Sequence, residues 1–137
     1  MPNKLSRIFG ASDANTRMAL EANTQGQAES LTTTTRRRLR GSGTGTMSLD
    51  LRCDSSAGVT SATGVTIWYS NLPDPSLASD ADWVQDADYA PALALTATGK
   101  AFLTIPDARA EWVMVKADVT AGTAGVRVFA LVADDRV

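Results

Sequence analysis

Residues 111–133, EWVMVKADVTAGTAGVRVFALVA, decide the fold class. Val113, Val115, Ala117 and Val119 alternate with Trp112, Met114 and Lys116. Val126, Val128, Ala130 and Val132 repeat the pattern against Arg127, Phe129 and Leu131. Side chains along a strand alternate between faces with a period of two, so each run predicts a strand with one continuous aliphatic face. The TAGTAG segment between them places Gly122 and Gly125 where a reversing backbone takes positive φ. A hairpin is therefore predicted, with the remaining strands pairing or packing against it.

The same texture runs back to residue 47. In MSLDLRCD (47–54) Met47, Leu49, Leu51 and Cys53 alternate with Ser48, Asp50, Arg52 and Asp54. Residues 55–58 read as a turn, and 59–62 as a fragment of strand. In GVTIWYS (64–70) Val65, Ile67 and Tyr69 share one face, with Thr66 and Trp68 on the other. Pro73 and Pro75 make 71–82 a loop, since proline cannot donate to a ladder. Residues 83–86 read as a short edge piece, and 93–98 with 101–105 as a second hairpin around Thr98, Gly99 and Lys100. Six to eight short strands joined by small turns predict an all-β, antiparallel β-sandwich or jelly-roll-like domain over residues 47–137.

Residues 1–46 differ in kind and predict an extended basic N-terminal arm with a Gly/Ser hinge. They carry seven basic and three acidic side chains, a net +4, whereas the remainder carries six and twelve, a net −6. Residues 13–23 predict a short helix with Asp13 as N-cap, marginal on its own. Residues 32–35, four threonines, favour extended backbone, and GSGTG (41–45) reads as a hinge. So polar an arm is expected to be disordered or ordered by a partner.

Composition narrows the chemistry. The 137 residues suggest one domain with an appendage, 44% hydrophobic but only 6% aromatic, so the core is expected to be aliphatic. No apolar run reaches the ~18 residues of a membrane span, and the N-terminal apolar stretch is too short for a secretory signal. A soluble, cytoplasmically made protein with no membrane partner is the expectation. Cys53 is the single cysteine, so no intrachain disulfide is possible, and its register predicts a buried small apolar residue. Histidine is absent, which removes the commonest general base and imidazole ligand. No phosphate loop, nucleophile elbow or zinc-binding cysteine pair is present. No catalytic residue, metal or cofactor is predicted.

Three groups of residues remain as candidates. Arg36, Arg37, Arg38 and Arg40 form the most conspicuous run. They suit docking on an acidic protein surface better than a solvated linker, and either better than nucleic acid, because the acidic body would repel phosphates. Asp74, Asp80, Asp82, Asp86 and Asp88 offer hard oxygen ligands, yet lack a calcium-loop pattern and read as solvated loop charge. Trp68, Tyr69, Trp83, Tyr89 and Trp112 read as core and edge packing, with a sugar-stacking platform as the rival.

A wider pattern emerges from the order of the pieces. The polar arm precedes SLDL (48–51), GVTIWYSN (64–71), a loop ending at Trp83, LTATG (95–99), AEWVMVK (110–116) and TAGTAGVRV (120–128). Over residues 47–137 this resembles the small β-sandwich domains of tailed-bacteriophage virion proteins, particularly capsid cement (decoration) proteins and some tail or fibre modules. The resemblance is one of texture and strand order. It implies a non-enzymatic structural protein on the outside of the capsid, a dimer or trimer whose arm lies across neighbouring major capsid proteins. On that reading Arg36, Arg37, Arg38 and Arg40 pair with capsid carboxylates. Leu5, Ile8, Phe9, Met18 and Leu20 are then the arm's apolar anchors. The alternative is a carbohydrate-binding module of a tail fibre or secreted protein, which an exposed pair among Trp68, Trp83 and Trp112 would favour.

Overall fold

The computed structural model describes residues 3–9, 28–41, 46–60, 63–105 and 110–133. They form nine strands: β1 (Asn3–Phe9), β2 (Glu29–Leu31), β3 (Thr35–Arg40), β4 (Met47–Ala57), β5 (Val65–Ser70), β6 (Val84–Gln85), β7 (Gly99–Ile105), β8 (Trp112–Ala117) and β9 (Thr123–Ala133). All pairings are antiparallel. One sheet has the order β1-β9-β4-β7, with β2 also paired to β9; the other has the order β3-β8-β5-β6. The two pack face to face as a β-sandwich, as the alternation predicts.

The aliphatic faces meet between the sheets. Leu49, Leu51, Val126, Val128 and Ala130 from one sheet, and Val65, Ile67, Val113, Val115 and Ala117 from the other, are fully buried. Cys53 is buried beside them and free, with its thiol donating to the Ser55 carbonyl at 3.3 Å. Burial is the main cause that pushes this thiol above its ordinary pKa.

The predicted hairpin of residues 111–133 does not form. Its two strands exist with the expected faces, but β8 and β9 belong to different sheets. Their link crosses the sandwich, with Val119 buried on the way. Gly122 has φ +81°, whereas Gly125 lies within β9 opposite Ser55, where a Cβ would come within 2.5 Å of the Ser55 hydroxyl. The second expected hairpin is also replaced. Only β7 is a strand there, while Leu93 makes an isolated bridge to Val65 and Leu95 plugs the core. Alternation identifies the face that points inward, but two strands can bury it side by side or across from one another. β4 runs on to Ala57 through a bulge between Cys53 and Ser55, so the turn falls at Gly58. Residues 59–60 are not strand.

The N-terminal region also differs from the expected free arm. β1 and β2 lie end to end along β9, and β3 pairs with β8 over six residues. These three stretches are ordered by the chain's own sandwich. The helix expected at 13–23 and the hinge residues 42–45 lie outside the described residues.

Candidate docking surfaces

The basic run is an edge strand of the four-stranded sheet. Alternation along β3 sends Arg36, Arg38 and Arg40 to the outward face and Arg37 to the inner edge, so one run serves two purposes. Beside Arg40 in register stands Trp112 of β8. The Arg38 and Arg40 guanidinium carbons lie 4.3 and 4.8 Å from the Trp112 ring centroid, within cation–π range. Arg40 also pairs with Glu111.

Residues 71–83 fold back across this outward face and are pinned by charge. Arg38 donates to Asp74 at 2.8 Å and to the Pro75 carbonyl at 2.7 Å. Asp80 sits between two cations, accepting from Arg36 Nε at 3.0 Å and Lys116 Nζ at 2.8 Å. Desolvation works against the Asp80 carboxylate, but these two hydrogen bonds outweigh it and hold its pKa below the ordinary value. The Trp83 indole donates to the Ser76 carbonyl at 2.7 Å, and Asp82 accepts from the Ser76 amide at 2.8 Å. Under this cover Met114, Thr66 and Ser70 are buried although they point away from the main core.

Asp74, Asp80, Asp82 and Asp86 are therefore structural ties. Asp86 accepts from the Tyr69 hydroxyl at 2.6 Å and caps the 3-10 turn Ala87–Tyr89 through the Asp88 amide. Burial first, and then the Asp86 carboxylate, raise the Tyr69 pKa. Among the described residues, no three of His, Cys, Asp and Glu converge as a metal site.

Arg37 closes the sandwich on the same side. It forms a two-armed pair with Glu29 of β2, donates to the Ile8 carbonyl of β1 at 3.0 Å and lies 4.7 Å over the Phe9 ring. A bulge between Arg7 and Phe9 lets the consecutive Ile8 and Phe9 both reach the core. Of the expected apolar anchors, Ile8 and Phe9 are thus core residues and Leu5 lies in β1, while Met18 and Leu20 are outside the described residues. The four arginines are engaged within the chain.

The outward face of the five-stranded sheet has the opposite character. Asp50 stands between Phe102 of β7 and Phe129 of β9, and Ser48 between Thr104 and Leu131. Phe102 is 69% exposed and Leu131 41%. The next row is cationic, Lys100, Arg52 and Arg127, of which Arg52 pairs with Asp50 and Arg127 with Asp54. Alternation in the sequence puts Phe129 and Leu131 on this face, whereas Phe102 is not among the candidate residues. The signal was its place in the outward set Lys100, Phe102, Thr104.

Neither a protein-family model nor a curated protein matches this chain.

Proposed function

We propose that this chain is a structural protein of a tailed-bacteriophage virion, a cement or decoration protein that binds the outer surface of the major capsid protein shell and stabilises it. The disposition of the three tryptophans supports this reading over its rival. Trp83 is buried, Trp68 lies under the Lys116 ammonium, and Trp112 lies under two guanidinium groups. A sugar-binding platform needs open, neighbouring aromatic faces, and these three rings have their faces or edges occupied. The resemblance over residues 47–137 is the second support.

The contact that this reading calls for moves with the geometry. Because Arg36, Arg37, Arg38 and Arg40 already have partners, docking through them would exchange one ion pair for another, with little net gain. The outward face carrying Phe102, Phe129 and Leu131 offers uncommitted apolar surface instead. Many copies on one shell would gain avidity through effective concentration.

The test mixes purified full-length chain with undecorated, expanded heads of the phage that encodes it, followed by sedimentation. Saturable co-sedimentation, with heads that withstand more heat, is the expected result. Heads that sediment bare overturn the proposal, and binding to a glycan array would put the carbohydrate module in its place.

A further inference from the structure

The four edges of the sandwich are not equally protected. β3 carries four arginines, and Arg37 reaches from it to the Ile8 carbonyl. β6 is only two residues long. β1 is bulged, and β2, which shares its edge, has three residues. Arginines, brevity and bulges are all devices that keep an edge from pairing with another chain. β7 has almost none of them. GKAFLTI runs in unbroken register with β4 over seven pairs, has no proline, and has one charge.

We propose that β7 pairs antiparallel with β7 of a second copy of this chain, about a twofold axis at Phe102. Phe102 is the middle residue of the strand, so this register uses its whole length on both copies. Such an interface is self-complementary, as a twofold contact must be. Among the described residues β7 has a strand on one side only. On its free side the Thr104 carbonyl accepts from the Tyr89 hydroxyl at a long 3.5 Å, a weak bond that a backbone amide replaces.

Charge and apolar surface both fit this register. Lys100 falls opposite Thr104 of the second copy, so the two lysines are kept apart. The cationic row Arg127, Arg52, Lys100 then continues into the hydroxyl row Thr104, Ser48 and not into a second cationic row. Phe102 meets its own copy, joining the exposed stripe of one sheet to that of the other. A single strand pair with one aromatic contact buries less than the roughly 1,200 Å² at which stable interfaces begin. The dimer is therefore weak and forms as concentration rises. This inference is independent of the cement reading.

The experiment uses the full-length chain, with light scattering across a concentration series and amide hydrogen exchange by NMR. Mass should rise from monomer to dimer, and the Lys100, Phe102 and Thr104 amides should gain protection over the same range. Phe102→Lys and Thr104→Lys should each weaken association at least tenfold, with unchanged circular dichroism and melting. Adding Lys100→Glu to Thr104→Lys should restore it, because the register sets position 100 against position 104 of the other copy. A monomer at every concentration overturns the proposal. So does a dimer indifferent to both lysine substitutions, a double variant that fails to recover, or protection on a different strand.

Discussion

Gly122 lies back to back with Gly58. A Cβ built on Gly122 would come within 2.3 Å of the Gly58 carbonyl carbon and 2.5 Å of the Ala57 carbonyl oxygen. Both glycines have positive φ, +81° and +70°, but a Cβ on Gly58 would meet nothing nearer than 3.7 Å. Here the chain turns from β4 and from the β8–β9 crossing at one corner of the sandwich.

The pair separates two costs of a methyl group. Gly58→Ala should lose only the left-handed penalty, about 1–2 kcal/mol. Gly122→Ala adds backbone overlap that cannot relax by a rotamer change, for a total of about 3 kcal/mol or more. Urea denaturation of both variants measures the difference. Equal losses would mean that the corner opens freely and that contact with Gly58 is not limiting.

Arg37 should matter far more than its three neighbours. Its side chain is 23% exposed and ties β3 to β1 and β2, whereas Arg40 is 57% exposed. Truncation leaves Glu29 half-buried without this cation, uncovers the Phe9 ring and frees the Ile8 carbonyl. Arg37→Ala is expected to cost about 2–3 kcal/mol, and Arg40→Ala no more than about 1 kcal/mol. A double-mutant cycle with Glu29→Gln measures the coupling. Similar losses for the two arginines would show that the edge is not held by this pair.

The sequence revealed inward faces more readily than neighbours. Met47, Leu49, Leu51 and Cys53 were legible as one buried row because alternation reports burial directly. The same signal in Val113–Val115–Ala117 and Val126–Val128–Ala130 suggested a hairpin, yet the strands face each other across the core. Among the described residues, only β5 and β6 are consecutive strands paired with one another, across the long loop 71–83. The arginine run looked like a free docking element because its partners, Asp74, Asp80 and Glu29, are distant or uninformative in sequence. Charge pairing over such separations leaves no local pattern, and Thr35–Arg40 reads as part of a basic arm until β8 is beside it.

Cys53 should be chemically silent in the folded protein. It is 2% exposed, its thiol pKa is raised by burial, and it points to the core. Labelling by a thiol-specific disulfide reagent at pH 8 should follow the opening of the fold and speed up with urea. Immediate stoichiometric labelling without denaturant would mean that the β4 bulge opens locally.

Asp80 gives the loop over the four-stranded sheet a defined pH dependence. Its pKa is lowered on folding by Lys116 and Arg36, so the unfolded chain binds this proton more tightly than the folded one. The stabilisation is fully present above the ordinary aspartate pKa of about 4 and is lost as pH falls through the lower folded value. Asp80→Asn should be less stable than the parent at neutral pH, with the gap closing as pH drops below about 4. The carboxylate is 37% exposed, so high salt should narrow the gap as well. Trp83, anchored to Ser76 in the same loop, reports local release by fluorescence. If Asp80→Asn keeps the parent's stability gap at pH 3, the two cations do not hold the loop through this carboxylate.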